Sequence, residues 1–369
     1  VAGIFPAREC INSQGVDAVL VRGAGGGMGT IKALGQVKGW ARCCAAELYA
    51  LSPGYLERLR GKVVILTYHR VISKKELDTQ YIQPGMYVTA ETFAMQMQFV
   101  KQYFSVISFG ELLRRWSEEM WDTEQRYCVV TFDDGWLDNY MYALPVLKKN
   151  ALPATVFLPT TFVGTDRWFW PEQIAWLCCH STWQAVNALQ REFSWLAGVG
   201  MSISRVDANT IIERCKVLAQ EQIDAFIGAW AGQLDVDLPQ DRQVINWAEA
   251  QEMSVAGVSF GSHSATHRIL THLHPNELVQ ELEGSWAVLK QKPITTVPVF
   301  CYPNGNWSAE LSRSVKAAGY AAATTTEFGY EGRVPSQRFA LKRVTIHNDV
   351  TYTDKLFAFH LAGYNHRGS

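Results

Sequence analysis

The sequence predicts an α/β fold built on a parallel sheet. Roughly seven or eight short apolar runs, with Val63–Tyr68, Tyr127–Val130 and Ala154–Leu158 the clearest, alternate with segments whose apolar residues recur at helical spacing. The residues with the most chemistry, His69, Asp133-Asp134, His263 and His267, Tyr302 and His347, each follow such a run. In a (β/α) barrel the C-terminal strand ends share one face, and catalytic groups from distant parts of the chain collect there.

Residues 1–58 stand apart from this alternation. Val16–Val21 reads as a strand and is followed by Gly23-Ala24-Gly25-Gly26-Gly27-Met28-Gly29-Thr30. No register of that run satisfies GxGxxG, and no Gly-Lys-Ser/Thr closes a P-loop, so the segment reads as a linker or an unrelated extension. Trp40 to Leu59, with Cys44, Leu48, Leu51 and Leu56, is expected to form one or two helices leaning on the domain or on a membrane surface. From Lys62 the pattern is regular. Val63–Tyr68 is a strand ending in His69. Phe93, Met97, Val100 and Phe104 share a helical face, Phe104–Ile107 is a short strand, and Glu111–Trp116 is helical. Tyr127–Val130 leads into the acid pair, and the helix beginning near Asn139 is restarted or kinked by Pro145. After the strand Ala154–Leu158, Trp168-Phe169-Trp170 opens a stretch without proline between Pro171 and Pro239. Ile211, Cys215 and Leu218 mark one helix in it and Trp247–Met253 another. Residues 166–256 therefore read as a mainly helical insertion, because strand–helix alternation resumes directly after them. Leu278, Leu282, Trp286 and Leu289 form a helical face, Val299–Tyr302 a strand, and Leu311, Val315 and Ala318 a helix closed by Gly319. Tyr320–Thr325 and Arg343–His347 are the last strands.

Composition narrows the function. The 369 residues are 48% hydrophobic and 19% charged, with formal net charge −1, which describes an ordinary globular chain of one large or two small domains. No basic stripe is present, so nucleic acid is not an expected partner. The eight Cys include the doublets Cys43-Cys44 and Cys178-Cys179 but no CxxC, which argues against a disulfide framework and a thiolate zinc site. No apolar run approaches the ~18 residues of a membrane span. The N-terminus lacks the charged and apolar regions of a signal peptide, so a cytoplasmic or membrane-peripheral location is favoured. Oligomeric state is open.

Thr131-Phe132-Asp133-Asp134-Gly135 joins an apolar strand to helically spaced Trp136, Tyr140, Leu144 and Leu147. Adjacent carboxylates repel, so holding both there requires a cation or a raised pKa in one. A helix N-cap with a spare acid is the alternative. The second cluster, Ser262-His263-Ser264-Ala265-Thr266-His267, weighs against that alternative. Its two His, four residues apart, can point the same way from a helical turn, and imidazole with carboxylate suits Zn2+ or a similar divalent ion.

With Leu66-Thr67-Tyr68-His69-Arg70-Val71 before them and Phe300-Cys301-Tyr302-Pro303-Asn304-Gly305 after them, these motifs resemble those of the polysaccharide deacetylases, the NodB-homology carbohydrate esterases. The resemblance runs from about Lys62 to about His347 and implies a domain over 59–362 with a distorted (β/α)7 barrel. It further implies that Asp134, His263 and His267 hold a divalent metal, Zn2+ first with Co2+, Ni2+ or Mn2+ as alternatives, and that Asp133 is the catalytic base. The implied substrate is an N-acetylated glycan. His347, in Val344-Thr345-Ile346-His347, is similar to the family's final motif, whose His is the general acid; a packed strand-end His is the other reading. A backbone N–H near Tyr302 is the candidate oxyanion donor. His69, Trp168 and Asn304 are the substrate-side candidates, His69 also as a partner behind the site. The chain departs from the best-known members where they carry Arg-Pro-Pro/Tyr, here Tyr-Pro-Asn-Gly, and it has no clear Asp-x-x-Asp-Trp segment to orient the base. A binding module that lost turnover, or a metal-dependent hydrolase of another amide or ester, are the rival readings.

Overall fold

The computed structural model describes residues 28–79, 82–181, 183–196 and 208–364. The Val16–Val21 segment and Gly23 to Gly27 lie outside the described residues. The strands are β1 (Val63–Tyr68), β2 (Arg70–Ile72), β3 (Tyr87–Thr89), β4 (Ser105–Val106), β5 (Tyr127–Phe132), β6 (Ala154–Leu158), β7 (Val258–Ser262), β8 (Thr296–Cys301), β9 (Ala322–Phe328) and β10 (Leu341–Thr345).

Seven of them close a parallel ring in the order β1-β5-β6-β7-β8-β9-β10, with β10 pairing back onto β1. The two-residue β4 adds only to the start of β5, and β2 with β3 forms a separate parallel pair. This is the expected (β/α)7 barrel. Alternate residues divide between its two faces. Val63, Ile65, Val129, Phe157, Val299, Cys301 and Leu341 pack together inside the ring, joined by Phe109, Leu112 and Trp116 of the helix Phe109–Ser117. Val64, Leu66, Val130, Val156, Phe260 and Val344 face outward into a larger cluster covered by helices. With both faces buried, these strands read as continuous apolar runs.

Strands β1 and β6 have the bounds expected of them. The pair β2–β3 was not foreseen, because three-residue strands carry too little periodicity to register. Strand β8 starts three residues and ends one residue before its expected bounds, β9 starts two and ends three after, and β10 lies two residues earlier at both ends.

The helix Met28–Ala50 packs on the helix Asp354–Leu361, and Tyr49, Leu56 and Leu59 are buried in the main cluster. The Tyr49 hydroxyl accepts from the Leu56 N–H at 2.8 Å. Trp40, Leu48 and Leu51 of the same stretch are more than two-thirds exposed. The insertion is helical, as expected. Its helices Trp170–His180, Trp183–Glu192, Ala208–Cys215 and Gln220–Leu234 share a core of Leu177, Leu189, Ile211, Phe226 and Trp230. Among the described residues, no helix is long and apolar enough to cross a membrane.

Candidate metal centre

β5 delivers Asp133 and Asp134 to one end of the ring. The chain then turns sharply, with Asp134 at φ 70° and Gly135 at φ 69°. A Cβ on Gly135 would lie 2.3 Å from the Leu158 side chain, so only glycine fits. A left-handed Asp costs of order 1–3 kcal/mol, a strain tolerated where the surroundings over-determine it. Here Trp136 Nε1 donates to Asp134 Oδ2 at 3.0 Å and aims the other oxygen across the ring. Oδ1 lies 3.3 Å from His263 Nε2 and 3.1 Å from His267 Nε2.

The three donor atoms lie within 4.8 Å of one another. His263 Nδ1 is 2.8 Å from the Cys301 carbonyl oxygen, which can only accept, so Nδ1 carries the proton. On a neutral ring, Nε2 then presents a lone pair toward a carboxylate oxygen. Two acceptors facing each other need a cation between them or a charged ring. Two imidazole nitrogens and one carboxylate oxygen are the donor set of a catalytic zinc site, and the carbonyl behind His263 is the kind of partner that fixes a ligating tautomer. Burial by itself would raise the Asp134 carboxyl, but hydrogen bonding to His263 and His267 holds it well below the ordinary range. Burial disfavours protonation of His263, yet Cys301 and Asp134 beside it raise it well above the ordinary value. The chain's own groups draw positive charge to this point.

Asp133 is served separately. Arg343, fully buried on β10, donates from Nη1 to Asp133 Oδ1 at 2.8 Å and from Nη2 to Oδ2 at 2.7 Å. Its Nε donates to Thr325 O at 2.7 Å, and Nη1 and Nη2 also reach Thr131 Oγ1 and Cys301 Sγ, both at 3.3 Å. Burial opposes ionisation of Asp133, but the Arg343 charge and its hydrogen bonds outweigh it and lower the carboxyl below its usual range. The adjacent carboxylates therefore coexist because each has its own partner. The sequence reading missed Arg343. Its signal was weak: Lys342-Arg343 sets two charges side by side in the strand, and only the alternation puts Arg343 on the same face as Leu341 and Thr345.

The other expected site residues divide. His69 Nε2 is 3.9 Å from Asp133 Oδ2, and burial lowers the pKa of its imidazole. His347 follows β10 on the Arg343 face, with Nδ1 3.3 Å from Asp349 Oδ2. Trp168 donates its indole N–H to Asp241 O at 2.8 Å. It lines a cavity of about 290 Å3 beside His267, with Phe162, Trp170, Glu221, Asp224 and Arg268. Tyr302 directly follows Cys301, whose carbonyl meets His263, but its own polar groups are used elsewhere. Its N–H donates to Thr324 O in the sheet, its hydroxyl donates to Phe339 O, and its ring packs with Phe300 and Leu311. Asn304 is exposed and donates to Asn306 Oδ1. The two His do not ride a helical turn. Ser264 (φ 67°) and His267 (φ 61°) make an irregular loop instead, held by hydrogen bonds to buried side chains. Glu172, in the first turn of Trp170–His180, was not anticipated. Desolvation pushes its carboxyl up to about 7, against the pull of Arg70 and with the Asp134 charge adding.

Known proteins resemble the chain at both levels. YxkH of Bacillus subtilis (strain 168), which bears the name of a polysaccharide deacetylase, is 22% identical over 222 residues, 60% of this chain. The chain spans about half the length of that curated relative. The Streptococcus pyogenes deacetylase PplD, solved in complex with acetate, superposes with a TM-score of 0.52 at 19% identity, covering 80% of this chain and 97% of that one. BC0361, a polysaccharide deacetylase from Bacillus cereus, gives 0.50 at 22% identity, covering 81% of this chain and 69% of its own. At these identities the likeness is one of fold. The family model of the polysaccharide deacetylases matches residues 121–192 and 209–323, over half the chain and inclusive of both the Asp pair and the His loop, so the chain belongs to the polysaccharide deacetylase family.

Proposed function

We propose that this chain is a metal-dependent hydrolase that removes N-acetyl groups from a glycan. The observation that carries the reading is the division of labour between adjacent acids: Asp134 with His263 and His267 on one side, Asp133 clamped by Arg343 on the other. A divalent ion at the first group, with Zn2+ favoured over Co2+, Ni2+ and Mn2+, would polarise an acyl oxygen and acidify a water.

The remaining roles belong to the chain. Asp133, kept ionised and in a fixed plane by the two-point Arg343 contact, accepts a proton from the attacking water. His69, with Nε2 3.9 Å from Asp133 Oδ2, bounds the space in which that water can sit. His347, its ring oriented by Asp349, is the general acid that protonates the departing amine. The Tyr302 N–H itself is used in the sheet, so the oxyanion donor near it is a neighbouring backbone N–H of the Tyr302–Gly305 turn. The cavity beside His267 favours a sugar over another amide. Trp168 and Trp170 offer aromatic faces, and Glu221 and Asp224 can accept from hydroxyls. Mixed apolar and polar lining of this size suits a ring or two of a chain.

The test is acetate release from a panel of N-acetylated oligosaccharides and polymers by metal-reconstituted protein. Release from glycans, abolished in Asp133→Asn with the metal retained, supports the reading. Turnover confined to non-sugar amides or esters would assign the site to the alternative substrate class. Glycan binding with no turnover at any metal would make it a binding module.

A further inference from the structure

His267 reaches Asp134 from a loop, not from a strand or helix, and its own backbone is left-handed at φ 61°. Ser264, three residues earlier, is left-handed at φ 67°. Non-glycine residues rarely hold that conformation unless something outside the loop imposes it. What imposes it is a carboxylate. Glu281, only 3% exposed on the segment Gln280–Gly284, accepts at Oε2 from the backbone N–H groups of Ala265 and Thr266, each at 2.9 Å. Its Oε1 accepts from the Thr266 hydroxyl.

Serines tie the rest of the loop to the same helical stretch. Ser264 Oγ accepts from His267 N–H at 2.9 Å, and Ser262 Oγ accepts from Ser264 N–H at 3.2 Å. Ser262 Oγ is 2.8 Å from Ser285 Oγ, which donates to the Glu281 carbonyl at 2.6 Å. Removing the Glu281 carboxylate would leave one buried and one part-buried backbone donor without that partner and free the loop to relax toward ordinary φ values.

We propose that Glu281 is a positioning residue for the metal, holding the loop so that His267 Nε2 meets Asp134 and His263. It does not touch the metal. Its role rests on the reading that Asp134, His263 and His267 are the ligands. Its effect is on how much of the ligand geometry exists before the metal arrives.

The test measures metal affinity directly, by chelator competition with Zn2+ and Co2+ on the full chain, alongside the Co2+ absorption spectrum and the melting temperature of the apo-protein. Glu281→Gln can keep all three bonds, with its amide donating to the Thr266 hydroxyl, and should bind within a few-fold of the parent. Glu281→Ala should lose 10–100-fold in affinity, the usual effect of removing a supporting partner, and show an altered Co2+ spectrum. Thr266→Val, which removes one bond, should fall between the two and serves if Glu281→Ala does not fold. Parental affinity and spectrum in Thr266→Val and in any folded Glu281→Ala would overturn the proposal, since a residue supporting only the fold would lower the apo melting temperature alone. Equal losses in the Gln and Ala variants would also overturn it, because they would point to charge and not to placement. If the parent itself binds neither ion, it is the ligand assignment that fails.

Discussion

Replacing Arg343 by Met removes the partner of Asp133 and keeps most of the side-chain volume. Asp133 is 2% exposed and Arg343 has no exposed surface, so the lost pair is fully buried. Breaking such a pair by deleting one partner costs about 3–5 kcal/mol, because the survivor is a charge without compensation. That energy corresponds to an upward shift of the Asp133 pKa by ~2–4 units at 1.36 kcal/mol per unit. Two signatures follow. In the parent the native Asp133 pKa is depressed, so its stabilisation is complete above the unfolded carboxyl value and disappears as pH falls through the native one. In Arg343→Met the native pKa is raised, so destabilisation grows as pH rises above the unfolded value and levels off once pH exceeds the native one. Denaturant melts from pH 5 to 8 should therefore show the gap between variant and parent widening with pH. In acetate-release assays the acid limb of kcat/KM should move to higher pH, with a loss of ~10²–10⁴ at neutrality if Asp133 is the base. The double variant Asp133→Asn/Arg343→Met should be clearly more stable than the two single effects predict when added, with a coupling of ~0.5–3 kcal/mol or more. Additive losses together with an unmoved acid limb would refute both the pairing and the assignment of the base.

Asp134→Asn and His263→Ala are expected to lose metal by elemental analysis, whereas Asp133→Asn should retain it and lose turnover; loss of metal in all three would undo the split between ligand and base. His347→Ala should stay folded with its metal and lose turnover of amides far more than of activated esters, whose leaving groups need no proton; equal losses would mark it as structural and turn attention to His69. A chain beginning at Leu59 loses Tyr49 and Leu56 from the main core, so it should melt at a lower temperature while its metal affinity stays within a few-fold of the parent. Calorimetry and chelator competition on the same sample separate those effects.

The barrel was legible because its strands are buried on both faces. Val63–Tyr68 and Ala154–Leu158 are apolar runs broken by a single Thr each, and such runs can be read without knowing their neighbours. The metal candidates were legible for a related reason. Asp133-Asp134 and His263 to His267 are each local in sequence and carry chemistry that a core residue seldom needs. Local spacing did not reveal their geometry. The His loop was read as a helical turn because i, i+4 spacing suits one, yet hydrogen bonds to Glu281, 15 residues beyond Thr266, impose left-handed residues there. Tyr302 looked placed for the site because its motif is, but its N–H is used in the sheet and its ring turns outward. Arg343, 210 residues from Asp133, is the clearest case. Ring closure places β1 between β10 and β5, yet the long Arg343 side chain crosses the interior to meet Asp133. Sequence alone marked most of the barrel strands and the local Asp and His motifs at their ends. Which buried charge answers which is decided only when the ring closes, because an ion pair is a property of distance in space and of the water excluded from around it.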